Sequence, residues 1–188
     1  YMGCVILALA IQCFVVYQLL LFLFTRLNPF KFLKKFFPVM NFAFTTATSN
    51  ATIPLSINTL DKKLGVSKKI SSFTIPLGAT VNMDAVSILM SFMIMFFANA
   101  CGIHVSIPLM IIILLANVLL SVGTPGVPGG AIASFAALAT MAGLPAGVLG
   151  VYISINTLCD MGATCVNVIG DMACCSALKN VIKIEEEA

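Results

Sequence analysis

The sequence predicts an all-α multi-pass membrane protein in which one spanning helix is broken and two re-entrant helical hairpins enter the bilayer without crossing it. Three observations carry this prediction. The 188 residues are 60% hydrophobic and 9% charged, with a mean hydropathy of +1.09, whereas a soluble domain is about half apolar and about a quarter charged. The apolar residues gather in long segments, of the roughly 18 or more residues that a spanning helix needs. Polar or Gly/Pro clusters interrupt three of these segments near their middles.

The first segment, residues 1–25 (Met2 to Thr25), reads as one transmembrane helix. It is too long for a signal h-region and has no cleavage pattern, so the chain is expected to start inside a larger membrane protein. A basic loop follows with Arg26, Lys31, Lys34 and Lys35. Residues 36–60 are apolar at both ends and polar between, from Thr45 through Thr52, with Pro54 just beyond. A second basic loop carries Lys62, Lys63, Lys68 and Lys69. Short loops rich in Lys and Arg favour the cytoplasmic side. Both loops can stay inside only if residues 36–60 dip in and return, which predicts a first re-entrant hairpin with its Ser/Thr/Asn tip deep in the membrane. Irregular backbone is tolerated there when protein or a watery cavity surrounds it.

Residues 70–101 form the third segment, a broken transmembrane helix. Gly78, Asn82 and Asp84 lie near its middle. The following loop around His104 has no Lys or Arg and suits the outer face; His104 reads as an ordinary surface residue. Residues 107–143 are split by two prolines and four glycines between Ser121 and Gly130, where helix propensity fails. This predicts a second hairpin entering from the outside. Residues 146–182 form the last helix, and residues 183–188 a solvated cytoplasmic tail. Interrupted segments in matching places, each before a polar helix, are the pattern of an inverted-repeat transporter with its site at the midplane.

Several function classes are disfavoured. The net charge of +3 comes from basic clusters between apolar segments, a topology signal and not a nucleic-acid patch. The seven cysteines, Cys4, Cys13, Cys101, Cys159, Cys165, Cys174 and Cys175, form no C-x-x-C pair and read as small buried hydrophobes. No nucleophile–base pair or HExxH-type motif points to an enzyme.

The chemistry rests on three acids. No Asp, Glu, Lys or Arg lies between Ala85 and Cys159, which leaves Asp84, Asp160 and Asp171 as the acids at membrane depth. A carboxylate near the bilayer centre costs ~2.5 kcal/mol or more on insertion scales. Protonation or a bound cation offsets that cost. At about 100° per residue, Asp160, Thr164, Asn167 and Asp171 fall at about 0°, 40°, 340° and 20° on a helical wheel. One face thus carries a stripe of oxygen and amide ligands, the donor set that hard cations prefer. A polar stripe that merely joins helices is the alternative. Asn82 and Asp84 would face about 200° apart on a regular helix; a break could aim both at one cation site, and a helix-packing pair is the other reading. Half-helix N-termini at the hairpin tips attract a carboxylate. Thr48, Ser49 and Thr52 add hydroxyls at the first tip, and the second is glycine-rich, so that a ligand can approach its backbone.

Taken together, these motifs resemble the dicarboxylate/amino acid:cation symporter family, the glutamate-transporter homologues. The resemblance lies in the tip ending Ala51-Thr52-Ile53-Pro54, the broken helix from Pro76 to Asp84, the second tip from Gly123 to Gly129, and Asp160 to Thr164 with Asn167, Gly170 and Asp171. It covers nearly the whole chain and about the C-terminal half of a family member. The resemblance implies a sodium-coupled, alternating-access symporter in the cytoplasmic (plasma) membrane, a homotrimer through scaffold helices that precede this part. It implies no cofactor beyond the coupling ions. One sodium would sit on the backbone of Gly78, Asn82 and Asn167 with the Asp171 carboxylate. Another would use Asn82 and Asp84, completed by residues outside the chain, and a third the carbonyls around Thr80, Ser121, Val122 and Thr124. Asp160 would hold a substrate α-ammonium; Asn167 and the tip around Ser49 would hold the α-carboxylate. Thr164 would add a polar contact, with Gly126 and Val127 closing over the site. Acidic-substrate members carry Arg where this chain has Ala163 and Thr where it has Val86. A bidentate Arg–carboxylate pair is hard to replace inside a membrane. The expected substrate is therefore a small neutral amino acid of the alanine, serine, threonine or cysteine type, with a C4-dicarboxylate or acidic amino acid, coupled to sodium or protons, as the alternative.

Overall fold

The computed structural model describes residues 1–181. The expected tail, with Lys183 and the run of glutamates from Glu185, lies outside the described residues. Among the described residues the structure is helical, without strands.

The first apolar segment forms α1 (Met2–Ile11) and α2 (Tyr17–Thr25), joined by a π-helical turn at Gln12–Val16. Arg26 ends α2 in the left-handed region, with its N–H donated to the Phe22 carbonyl. The next helix, α3 (Pro29–Thr46), starts earlier than the 36–60 expectation. Asn28 caps it by accepting from the Lys31 N–H, and Pro29 occupies the first turn, where its missing N–H costs nothing. Lys31, Lys34 and Lys35 therefore sit on the helix instead of in a loop. Its partner α4 (Ser49–Leu64) likewise takes in Lys62 and Lys63, whose charges complement the helix C-terminus, and ends at Gly65 with φ +60°.

The polar stretch from Thr45 to Thr52 is mostly helical, not an irregular tip. Thr45 and Thr46 turn their hydroxyls onto the Asn41 and Phe42 carbonyls, which satisfies them inside the helix. The reversal is confined to Ala47, in the left-handed region at φ 47°, and Thr48. A broken rod follows, α5 (Lys68–Val81) and α6 (Asp84–Ala100), interrupted at Asn82 and Met83. The second helical pair is α7 (Ile107–Val122) and α8 (Ala131–Met141); Ser121 and Val122 remain in α7, and residues 123–130 form the tip. His104 is exposed in the loop before α7.

The last helix, α9 (Val148–Val181), is the central post and packs against α2, α3, α4, α5 and α6. The faces that meet it are apolar: Phe32, Phe36, Val39 and Ala43 of α3 are buried, and Phe135 of α8 stacks on Tyr152 of α9 with centroids 4.0 Å apart. All seven cysteines are free; Cys13, Cys159 and Cys175 are buried as expected of small hydrophobes, whereas Cys4, Cys101 and Cys174 are exposed on this chain. Among the described residues, three stretches are long and apolar enough to cross a membrane: Met2–Thr25, Lys68–Ala100 and Val148–Lys179. Large apolar side chains such as Leu7, Phe24 and Leu119 point outward, a surface suited to lipid or further helices and not to water.

One buried polar residue joins α6 to α7. Asn117, 1% exposed, donates to the Ser87 carbonyl and the Ser91 hydroxyl, each at 2.8 Å. Asn117→Leu is expected to lower stability by about 1–2 kcal/mol, the order of a lost interhelical hydrogen bond. Thermal unfolding in detergent measures this.

Candidate functional site

The two tips meet. The Gly126 carbonyl accepts from the Thr48 hydroxyl at 2.7 Å and from the Asn50 N–H at 3.3 Å. It thereby caps the N-terminus of α4, where unpaired N–H groups and the helix dipole concentrate positive potential. Close approach makes glycine necessary at 126. A Cβ there would lie 2.9 Å from the Ala79 carbonyl oxygen and 3.1 Å from Asn50 Oδ1. Opposite, the Gly129 N–H donates to Asp160 Oδ2 at 3.1 Å, and Gly129 has φ +74°. The second tip is thus pinned at two points, its Gly126 carbonyl by donors at the start of α4 and its Gly129 amide by the Asp160 carboxylate of α9.

Beneath the seated tip lies a narrow cavity of about 10 Å³, room for about one water, lined by Ala47, Ser49, Met83, Val86, Thr124, Pro125, Gly126, Val127, Ala131, Asp160, Thr164 and Asn167. Ser49, Val86, Gly126, Val127, Asp160, Thr164 and Asn167 were all expected around a substrate, and the structure gathers them on one wall system. Ala163 is the exception: it is fully buried and does not line the cavity, its methyl being too short to reach it. Asp160 is the acid on this lining, and no Lys or Arg is among the lining residues.

The other acids, with Asp171 about three turns beyond Asp160 on α9, are arranged separately. Asp171, 4% exposed on α9, accepts from Asn82 Nδ2 at 3.0 Å, and the same amide donates to the Asn167 carbonyl at 3.1 Å. Gly78 leaves room for this: a Cβ there would overlap the Asp171 carboxylate. The break in the α5–α6 rod thus places Gly78, Asn82, Asn167 and Asp171 in one cluster. Asn167 also closes the start of α6, its Oδ1 accepting from the Ala85 N–H at 2.9 Å, while its Nδ2 meets the Met83 sulfur at 3.2 Å. Asp84 begins α6, where a carboxylate suits the helix dipole. One of its oxygens, Oδ1, is buried without a hydrogen-bond partner. An unpartnered buried carboxylate oxygen, beside glycine cradles and amide carbonyls, is a donor set fit for a hard cation.

The third group is looser. Ser121 and Thr124 are buried, with hydroxyls turned onto the Val118 and Leu120 carbonyls, and Thr124 also meets Ser134 at 3.1 Å. Val122 and Thr80 are exposed, and the Thr80 hydroxyl donates to the Leu77 carbonyl. The ends of α5 and α7 touch there.

Two residues escaped the sequence reading. Gln12 donates from its side-chain amide to Asp84 Oδ2. Tyr17 packs its hydroxyl against Gly170 and Asn82. The Asp84 site was expected to depend on residues outside the chain; these contacts come from within it. A lone Gln and Tyr in an apolar run carry no periodic signal, so only the packing identifies them. Next to them an apolar groove of about 760 Å³ runs between α2, α5 and α9 and ends on Asn82 and Asp171.

Residues 1–181 match the family model of the sodium:dicarboxylate symporter family. The chain is 36% identical over 171 residues to a protein of Mus musculus named neutral amino acid transporter B(0), covering 91% of this chain and 31% of that protein. It is 32% identical over 171 residues to an excitatory amino acid transporter of Caenorhabditis elegans, covering 91% of this chain and 34% of the relative. Over 157 residues it is 36% identical to neutral amino acid transporter A of Bos taurus, covering 84% of this chain and 30% of the relative. The chain thus spans about a third of the length of these curated relatives. The matched region contains both paired-helix tips, the interrupted rod and the polar face of α9, and the chain belongs to the sodium:dicarboxylate symporter family.

Proposed function

We propose that this chain is the substrate- and ion-binding core of a sodium-coupled symporter that carries a small neutral amino acid across the plasma membrane, as a homotrimer in its full-length form. The observation that carries the reading is the cavity under the second tip, with the Asp160 carboxylate on one side, the N-terminus of α4 on the other, and no cationic side chain in its lining. An α-ammonium would replace the Gly129 N–H on Asp160, and an α-carboxylate would replace the Gly126 carbonyl at the α4 N-terminus. The two helical pairs act as re-entrant gates around this point, in keeping with discontinuous helices that aim their termini at the midplane. Sodium at Asp171 and Asp84, with carbonyls around Thr80, Ser121, Val122 and Thr124 as a further site, neutralises the acids and orders the tip before substrate is trapped. The relatives named neutral amino acid transporters support this substrate class.

The relative named an excitatory amino acid transporter, together with the family's name, favours a second reading, symport of an acidic amino acid or dicarboxylate. Uptake by the full-length protein in proteoliposomes, with a panel of amino acids and with or without a sodium gradient, separates the two. Saturable alanine or serine uptake without aspartate uptake is expected; the reverse result overturns the substrate assignment. Ala163→Arg is expected to weaken neutral uptake at least tenfold and to admit aspartate, because it adds a cation that can pair with a side-chain carboxylate. Competition by aspartate against labelled serine reads this directly.

A further inference from the structure

We infer that Gln12 and Tyr17, brought to one face of the first helix by its π-turn, are positioning residues for the ion-binding carboxylate of Asp84. This role rests on the sodium-coupled reading above and extends it to an element that the reading did not include.

The argument begins with the turn. Residues five apart on a regular α-helix point about 140° apart. At Gln12–Val16 the hydrogen bonding changes to i→i+5, and the Tyr17 N–H is donated to the Gln12 carbonyl. Tyr17 then stands directly above Gln12. Such single π-turns are rare and gather at functional sites. This one is held by Gln18, 5% exposed, whose side-chain amide donates to the Cys13 carbonyl at 2.9 Å. The buried Gln18 amide thus maintains the local geometry that aligns the half-buried Gln12 with Tyr17.

Both aligned side chains point at the same carboxylate. The Gln12 amide holds Asp84 Oδ2. The Tyr17 side chain is 8% exposed, and its hydroxyl lies beside Asp84 and Asn82, at no distance short enough for a hydrogen bond. Asp84 Oδ1 is buried and equally without a partner. Two buried oxygens without a hydrogen-bond partner at one end of this cluster are costly unless a further group visits them. A cation on Asp84 Oδ1 would satisfy that oxygen, with the Tyr17 hydroxyl close by. Gly170 of α9 is shaped for this contact, since a Cβ there would collide with the Tyr17 ring and hydroxyl and reach within 2.6 Å of Asn82 Nδ2. Gln12 fixes one oxygen of Asp84 and leaves the other without a partner.

The test uses the full-length protein carrying Gln12→Leu, which keeps the volume, or Tyr17→Phe, which removes one oxygen. Two quantities are read: the sodium concentration for half-maximal uptake, and the thermal stabilisation by sodium chloride over choline chloride, which needs no transport. Each variant is expected to raise the half-maximal sodium concentration by roughly tenfold or more, the usual loss when a ligand's outer partner is removed. It should shrink the sodium-specific stabilisation and leave the substrate KM at saturating sodium within about twofold. Phe14→Leu, on the outward face of the same turn, is expected to change neither. The role is overturned if Tyr17→Phe, the milder change, keeps the sodium midpoint within twofold of the unsubstituted protein. It is overturned equally if sodium midpoint and substrate KM shift together, the mark of a merely structural defect. Failure of the function reading looks different: the unsubstituted protein itself would take up amino acids, or resist heat, with no preference for sodium over choline.

Discussion

Asp171→Asn is expected to abolish sodium-driven accumulation, lowering uptake by at least about 100-fold, or roughly 2.8 kcal/mol at 1.4 kcal/mol per decade. Asp171 is 4% exposed and, among the described residues, accepts its side-chain hydrogen bond from the Asn82 amide, a neutral donor. A buried carboxylate without a cationic side chain is strained by desolvation, and a bound cation relieves that strain. The amide keeps the shape and removes the charge. The variant should therefore fold at least as stably as the parent while losing its response to sodium. Gly78→Ala is expected to give the same loss by another route, since its methyl would displace the carboxylate. Uptake driven by an imposed sodium gradient, beside thermal unfolding with and without sodium, measures both halves. Unaltered sodium dependence in Asp171→Asn would remove the ion-binding role from the centre of the cluster.

Gly126→Ala is expected to lower uptake by about 10- to 100-fold through failure of the second tip to seat. The added methyl would sit 2.9 Å from the Ala79 carbonyl oxygen and 3.3 Å from Ser49 Cβ, against backbone and a helix start that cannot give way together. Overpacking of this kind costs about 1–3 kcal/mol, and here the cost falls on the closed arrangement, where Gly126 meets Thr48 and Asn50. Gly123→Ala is the matched control. Its nearest neighbour would be the Leu120 carbonyl at 3.7 Å, an ordinary contact, and near-parental uptake is expected. Substrate KM and the rate of transport, measured for both, show whether the tip's close approach governs closure. Equal effects of the two alanines would mean that chain flexibility, not contact at Gly126, matters in this loop.

The interruption of the third segment is legible in the sequence, because a Gly, an Asn and an Asp inside an apolar run cannot all be ordinary membrane-helix residues. The polar stripe of α9 is legible for the same kind of reason: its four members repeat at helical spacing. The first tip was harder to read. Its hydroxyl-rich stretch looks irregular by composition, yet Thr45 and Thr46 satisfy themselves within α3 and leave Ala47 and Thr48 to turn the chain. Gln12 and Tyr17 were not legible at all. A π-turn has no periodic mark in an apolar run, and the partner of Gln12 lies 72 residues along the chain.

From the sequence alone came an all-helical chain for an apolar solvent, the segments that break, and three carboxylates at depth without matching cations. These follow from hydropathy, helical period and charge, which are local properties of a run of residues. Only the tertiary structure decided that Gly126 caps α4, that Gly129 holds Asp160, that Asp171 lies on Gly78, and that the first helix reaches Asp84. Those are meetings between segments far apart in the chain, fixed by how helices pack around α9 and by where a missing Cβ allows two backbones to touch.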